Sequence, residues 1–157
     1  MYKKILVPLD GSELAECALN YVKKLFQDGP VGEVVLLNAV VTEIPWRELN
    51  AEEGGHAAAF DYNAFIESFM DKSRRYLARV QSRLSSEGIK VKTETIESNG
   101  PSQTITDYAQ KNSVDLIVMA THGYTGMKKM MLGSIALKVL HESNVPVLLI
   151  RPEACHV

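Results

Sequence analysis

The chain has 157 residues, 46% of them hydrophobic, and its 17 Lys and Arg side chains against 19 Asp and Glu give a net charge of −2. This length predicts one domain over residues 1–157, and the lack of a basic excess argues against nucleic-acid binding. The apolar runs are much shorter than the ~20 residues that cross a bilayer, so no membrane segment is expected. Two cysteines are too few for a disulfide framework, and with no export signal they favour a cytoplasmic protein.

Short apolar segments alternate with helical patterns along the chain. The predicted elements, in order, are a strand over 4–9, a helix over 13–28, a strand over 34–41, a helix over 61–86, a strand over 89–96, a helix opening at 100–102, a strand over 114–120, a helix over 134–142 and a strand over 147–151. Crossovers of this length produce parallel strands. The sequence therefore predicts a single three-layer, doubly wound α/β domain with a five-stranded parallel sheet.

A few residues mark the ends of these elements. Ser12 is predicted to cap the first helix, and Gly88 is predicted to close the second. Cys17 lies beside the apolar stripe of the first helix, which predicts a small buried side chain. Residues 42–59 have no apolar period and predict a flexible loop, while residues 152–157 predict a tail.

Two loops follow strands at the edge where ligands of such sheets bind. In an open parallel sheet, ligands lie outside the carboxyl ends of the strands, where the strand order reverses. The first loop follows Pro8 and carries Asp10, a carboxylate that can accept hydrogen bonds from hydroxyl or amino groups. The second loop, residues 120–134, follows the fourth predicted strand. These loops are the predicted walls of a ligand site.

The second loop is rich in glycine and opens a helix. Gly123, Gly126 and Gly133 allow the backbone to approach a ligand closely. Gly133 and Ser134 stand where the helix begins, so unpaired amides and the helix dipole predict an anion site. The loop is neither a P-loop nor a dinucleotide-binding fingerprint, because the required lysine and glycines are missing. A β-branched residue at position 133 is expected to block a phosphate without unfolding the chain.

Four motifs carry a family resemblance. They are Ile5 to Ser12 (Ile-Leu-Val-Pro-Leu-Asp-Gly-Ser), Met119 to Gly123 (Met-Ala-Thr-His-Gly), Leu132 to Ser134 (Leu-Gly-Ser) and Pro146 to Arg151 (Pro-Val-Leu-Leu-Ile-Arg). In their order and spacing, over essentially the whole chain, these motifs resemble the universal stress protein family. Members with a Gly-x2-Gly-x9-Gly-Ser/Thr pattern bind ATP. Here Ala120 stands at the first glycine of that pattern, and the later positions match.

The resemblance implies a fold, a ligand and a set of site residues. The implied fold is the adenine nucleotide alpha hydrolase-like fold with strand order 3-2-1-4-5, and the implied ligand is ATP, with ADP or AMP as alternatives. Asp10 and the backbone of Ala120 would hold the ribose, Pro8 and the end of the second strand would flank the adenine, and the glycine loop would hold the phosphates. The candidate binding residues are Pro8, Asp10, Ala39, Val40, Ala120, Thr121, His122, Gly123, Gly126, Gly133, Ser134 and Ile135.

No residue is predicted to be catalytic or to bind a metal directly. No cluster of His, Asp or Glu has metal-ligand spacing, so a magnesium or manganese ion would be carried on the phosphates. His122 has no nucleophile or carboxylate beside it in a recognisable triad, so it is interpreted as a positioning or solvated residue.

Three classes of function remain open on the sequence. The first is an ATP-binding regulatory module for the stress response, acting on an unidentified protein partner. The second is an enzyme with at most weak ATP hydrolysis. The third is a dimeric scaffold that binds no nucleotide, for which Ala120 is the argument. The resemblance implies a homodimer through strand 147–151, whose apolar sequence suits an exposed sheet edge.

Overall fold

The computed structural model describes residues 1–42, 61–122 and 133–151, so the predictions for the loop beyond residue 42 and for the tail at 152–157 lie outside the described residues. The elements, in chain order, are β1 (Tyr2–Pro8), α1 (Glu13–Asp28), β2 (Val31–Val40), α2 (Tyr62–Ser86), β3 (Val91–Glu97), α3 (Pro101–Lys111), β4 (Leu116–Ala120), α4 (Ser134–Glu142) and β5 (Val147–Ile150). In the described ranges, no helix combines the length and hydrophobicity that a bilayer crossing requires.

The strands form one parallel sheet in the order β3-β2-β1-β4-β5, which confirms the predicted topology. Helices cover both faces. In β1, Ile5 and Val7 pack on the face covered by α1 and α2, while Leu6 packs on the face covered by α3 and α4. All three side chains are fully buried, which explains the continuous apolar run of this central strand.

The helix ends follow the sequence signals. Ser12 caps α1, and its hydroxyl accepts a hydrogen bond from the Ala15 amide at 3.1 Å. Gly88 has φ +85° after α2, where its amide donates to the Ser85 carbonyl and the Ile89 amide donates to the Leu84 carbonyl. These two bonds form a Schellman closure. Because Ile89 takes part in it, β3 begins at Val91 and not at residue 89 as predicted.

Strand β2 begins three residues earlier than predicted, at Val31. Gly32 and Glu33 interrupt the apolar run, so the pattern concealed this part of the strand. Gly32 lies against the backbone of β1, and a Cβ added there would overlap the Lys3 carbonyl oxygen. The glycine therefore permits a close approach of the two backbones where the sheet begins.

Cys17 is buried on α1, as expected, with 5% of its surface exposed. It is disulfide-bonded, which the sequence analysis did not predict. The apolar stripe of the helix predicted the burial of this residue but not its oxidation.

Asp115 connects the beginning of β4 to the beginning of β1. Its Oδ2 accepts hydrogen bonds from the Lys3 amide at 2.7 Å and the Lys4 amide at 2.8 Å, and its own amide donates to the Lys4 carbonyl at 2.9 Å.

We expect Asp115→Ala to lower the free energy of unfolding by about 2–3 kcal/mol, because two backbone donors lose their acceptor. Urea denaturation measures this change. Asp107→Ala, which removes an exposed acceptor for Gln103, serves as control and is expected to change stability by about 0.5 kcal/mol or less. Equal midpoints for the two variants would contradict the role given to Asp115.

Candidate functional site

The predicted site residues that the structure describes lie at the carboxyl ends of three neighbouring strands. Pro8 and Asp10 are at the end of β1, Ala39 and Val40 end β2, and the remainder follow β4. The described members of that last group are Ala120, Thr121, His122, Gly133, Ser134 and Ile135; Gly123 and Gly126 lie outside the described residues. Since the strands are parallel and adjacent, the described candidates lie together at the carboxyl ends of the strands.

A gap opens between β1 and β4 at this edge. The register between β1 and β2 continues to Pro8 opposite Leu37, whereas the register between β1 and β4 ends at Leu6 opposite Ile117. Proline has no amide hydrogen, so Pro8 cannot extend the ladder toward β4. The two central strands therefore stop pairing before their ends. This is the point where the strand order reverses, as the sequence predicted for a ligand crevice.

Ala39 presents backbone polar groups to this gap. The Leu37 carbonyl accepts from Leu9 beside β1, and the Val40 carbonyl accepts from Ser98 beside β3. Because successive residues of a strand point their backbone groups to opposite neighbours, the amide and carbonyl of Ala39 point toward the β1 side. Strand β1 has already ended there. Among the described residues, neither group of Ala39 has a backbone partner.

Ala120 presents its carbonyl to the same gap. The amides of Ile117 and Thr121 donate toward β5, to Pro146 and Ile150, so the intervening Ala120 faces β1. No described backbone amide donates to its carbonyl. The residue is 7% exposed, so its methyl group is buried and the replacement of glycine by alanine adds almost no exposed side chain.

The turn after β1 holds Asp10 in place. Its Oδ1 accepts hydrogen bonds from the amide of Ser12 at 2.9 Å and from the hydroxyl of Ser12 at 2.6 Å. Gly11 between them has φ +88°, a conformation that favours glycine. Asp10 is exposed at the sheet edge, so its carboxylate is accessible from solvent.

The turn before α4 is fixed to the end of β4. The buried Thr121 donates its amide to Ile150 at 2.8 Å and accepts the amide of Gly133 at 2.7 Å. An added Cβ at Gly133 would lie 2.7 Å from the Thr121 carbonyl oxygen. Position 133 therefore requires glycine because of the protein's own backbone, whether or not a ligand is present.

The first turn of α4 has no side-chain cap. Gly133 is the N-cap residue, and the first amide that bonds back into the helix is that of Leu137, which donates to Gly133 at 2.9 Å. Among the described residues, the amides of Ser134, Ile135 and Ala136 thus have no backbone acceptor. The Gly133 amide, in contrast, is already bonded to Thr121. Ser134 is exposed at the first helical position and does not cap the helix.

His122 has one satisfied and one unsatisfied ring nitrogen. Its Nδ1 lies 2.9 Å from the hydroxyl of Thr121. Its Nε2 is buried and has no hydrogen-bond partner in the part of the chain that the structure describes. An orphaned polar atom beside the gap is the kind of group that a polar ligand would satisfy.

A charged cluster beside Asp10 was not found from the sequence. The Tyr76 hydroxyl donates to Glu16 at 3.0 Å, and Arg83 donates to the other oxygen of Glu16 at 2.8 Å. Burial, then Glu16, and more weakly Asp10 raise the pKa of the Tyr76 phenol. Glu16 and Tyr76 are 60 residues apart, and only the packing of α2 on α1 brings them together. The cluster joins the two helices that follow the first and second strands.

No acidic or histidine cluster near the gap resembles a metal site. Across residues 1–42, 61–122 and 133–151, no group of three or more His, Cys, Asp or Glu side chains is placed to hold a metal ion.

Comparison with known proteins assigns the family. The model of the universal stress protein family matches residues 1–151. The chain belongs to the universal stress protein family. Universal stress protein MJ0577 of Methanocaldococcus jannaschii is 34% identical over 160 residues, covering 96% of each chain. The solved structure of MJ0577 superposes with a TM-score of 0.76, again covering 96% of each chain.

More distant solved members share the fold. Universal stress protein UspA of Lactobacillus plantarum is 24% identical with a TM-score of 0.74, covering 96% of this chain and 98% of its own. A universal stress protein of Arabidopsis thaliana, described with AMP bound, is 14% identical with a TM-score of 0.64, covering 95% and 91%. Another family member is described in complex with cAMP. The chain thus has the adenine nucleotide alpha hydrolase-like fold of a family of stress-response proteins.

Proposed function

We propose that this universal stress protein is a regulatory module that binds ATP, or another adenine nucleotide, in the gap between the ends of β1 and β4. The observation that carries the proposal is the first turn of α4, which has no side-chain cap among the described residues and is fixed to the end of β4 by the bond from Gly133 to Thr121. Three amides that have no backbone acceptor in the described part of the chain, at the positive end of a helix dipole, suit the phosphates of a nucleotide.

The backbone of Ala39 suits adenine. One residue offers a donor and an acceptor side by side, and the Watson–Crick edge of adenine offers the N1 acceptor beside the N6 donor. Guanine presents the opposite order, a donor at N1 and an acceptor at O6. With the ribose held in place, the N1–H donor of guanine would face the amide donor of Ala39. The backbone of Ala39 therefore favours adenine.

The remaining groups suit the ribose and the phosphates. Asp10 is a carboxylate at the end of β1 that can accept from ribose hydroxyls, and the Ala120 carbonyl faces the same gap. His122 Nε2 would find its missing partner in the ligand. A magnesium or manganese ion would be held through the phosphate oxygens, because no described cluster of side chains would hold it alone.

Relatives support this proposal without establishing it for this chain. Two proteins of the same fold are described with AMP and with cAMP, which are both adenine nucleotides. Their low identity to this chain carries the fold alone. The residues at the gap supply the argument for this sequence.

Calorimetric titration tests the proposal. We expect ATP to bind with a dissociation constant at least about 100-fold lower than that of GTP, because guanine would leave the Ala39 groups mismatched in a buried contact. ADP and AMP are titrated in parallel, each with and without magnesium. A smaller affinity for AMP than for ATP would show that the α4 amides contribute through the outer phosphates.

Two outcomes would count against the proposal. Equal affinities for ATP and GTP would remove the role of Ala39. No heat with any nucleotide, together with no rise in melting temperature at millimolar ATP, would favour the scaffold that binds no nucleotide.

The protein is also proposed to be a homodimer through β5. The carbonyls of Pro146 and Ile150 accept from β4, so the backbone groups of the alternate residues, Val147 and Leu149, point outward from the sheet edge. Leu137 and Leu140 of the neighbouring α4 are 43% and 47% exposed. An edge strand whose outward backbone groups have no partner among residues 1–42, 61–122 and 133–151, beside exposed leucines, suits pairing with a second copy.

A further inference from the structure

The contacts of Ser12 extend beyond the capping of a helix. Its hydroxyl accepts from the Ala15 amide at 3.1 Å and donates to Asp10 Oδ1 at 2.6 Å, while its amide donates to the same oxygen at 2.9 Å. The cap of α1 requires only the first of these bonds. The other two attach the proposed ribose-binding carboxylate to the beginning of a helix.

The turn geometry makes this attachment possible. Gly11 has φ +88°, which folds the chain back so that Ser12 faces the side chain of Asp10. A Cβ at Gly11 would meet nothing within 4 Å, so the glycine is needed for its dihedral angle and not for space. Asp10, Gly11 and Ser12 therefore form one unit.

The hydroxyl of Ser12 acts in two directions at once. A hydroxyl that donates to a carboxylate becomes a better acceptor, so its bonds to Asp10 and to Ala15 strengthen each other. The helix that it caps is anchored in the core through Ala15 and Ala18. The bond from Ser12 thus fixes the orientation of the Asp10 side chain relative to α1, a buried and rigid helix.

We infer that Ser12 is a positioning residue that orients Asp10 toward the ribose and thereby sets a preference for ligands with an intact ribose diol over deoxyribonucleotides. This inference rests on the proposed nucleotide site. Ser12 itself needs no contact with the ligand. Its effect is confined to the binding of the ribose, since the protein groups proposed to bind adenine and the phosphates are on β2 and α4.

Ser12→Asp separates this role from capping. Aspartate caps helices as well as serine does, so the melting temperature should stay within about 2 °C of the wild type. It has no hydroxyl to donate and places a second carboxylate beside Asp10. We expect its affinity for ATP to fall about tenfold while its affinity for 2′,3′-dideoxy-ATP stays within about twofold, measured by titration calorimetry. Ser12→Thr, which keeps the hydroxyl, should restore the wild-type ratio.

Asp61→Ala is the matched control for a lost cap. Asp61 caps α2 by accepting from Ala64 at 3.1 Å, so this variant should lose stability without changing the ratio of the two affinities. Equal weakening of ATP and dideoxy-ATP in Ser12→Asp, or no weakening of either, would overturn the inference. A wild-type chain that binds ATP without any preference for the diol would overturn it as well. A wild-type chain that binds neither ligand would instead remove the proposed function on which it rests.

Discussion

Gly133→Ala should reduce the affinity for ATP by at least about 100-fold and lower the free energy of unfolding by about 1–3 kcal/mol. The added methyl carbon would lie 2.7 Å from the Thr121 carbonyl oxygen, which also accepts the Gly133 amide at 2.7 Å. Relief of this overlap requires the beginning of α4 to move away from β4. The amides of Ser134 and Ile135 would move with it, away from the proposed phosphate position. Titration calorimetry and urea denaturation measure the two effects.

Gly100→Ala provides a matched control. Gly100 is also a glycine at the N-cap of a helix, but the nearest atom to an added Cβ is Gln103 Cβ at 4.0 Å. This variant should keep the ATP affinity of the wild type and lose only about 0.5 kcal/mol of stability, the cost of alanine in place of glycine at an N-cap. ATP binding by Gly133→Ala at wild-type strength would exclude the beginning of α4 from the nucleotide site.

Leu149→Pro should convert the proposed dimer into a monomer. The amide of Leu149 points outward from β5, so proline removes a donor that no bond of the sheet uses, and proline is tolerated at such edge positions. Pairing with a second copy would lose that donor and meet the proline ring. Sedimentation velocity should show the wild type at twice the mass of the variant. Circular dichroism should show that the variant remains folded.

The opposite edge of the sheet supplies the control for this experiment. The Val34 amide donates to Lys90 and the Ser98 amide donates to Val40, so the alternate residue Thr93 points its amide outward from β3. Thr93→Pro should therefore remain dimeric. A monomeric wild type, or dimers in both variants, would contradict pairing through β5.

The alternation of strands and helices could be predicted because local patterns agreed with one another. Apolar runs bounded by Ser12, Gly88 and Pro101 predicted the alternating strands and helices, and the resemblance supplied the sheet order. The boundaries that differ have local causes. Gly32 interrupts an apolar run because β1 lies too close for a side chain, and Ile89 is used to close α2.

The sequence predicted where the candidate site residues lie in the fold but not which hydrogen bonds they make. The motifs placed Asp10 and Gly133 at neighbouring strand ends, which the topology confirms. The Gly133 amide, which was predicted to donate to phosphate, is bonded to Thr121. No sequence pattern indicated that Tyr76 and Arg83 would share Glu16. Such pairs depend on how two helices pack, and residues so far apart leave no periodic signal.

The proposed recognition of adenine by the backbone of Ala39 has a consequence for how this chain can diverge. An amide and a carbonyl are present whatever side chain position 39 carries, so single substitutions there leave the hydrogen-bonding edge intact. The preference for adenine would then depend on the register of β2 against β1 and not on the side chain at any one position. A change to guanine would need the donor and the acceptor at this position to exchange places, which no side-chain substitution at position 39 achieves, because the direction of β2 fixes their order.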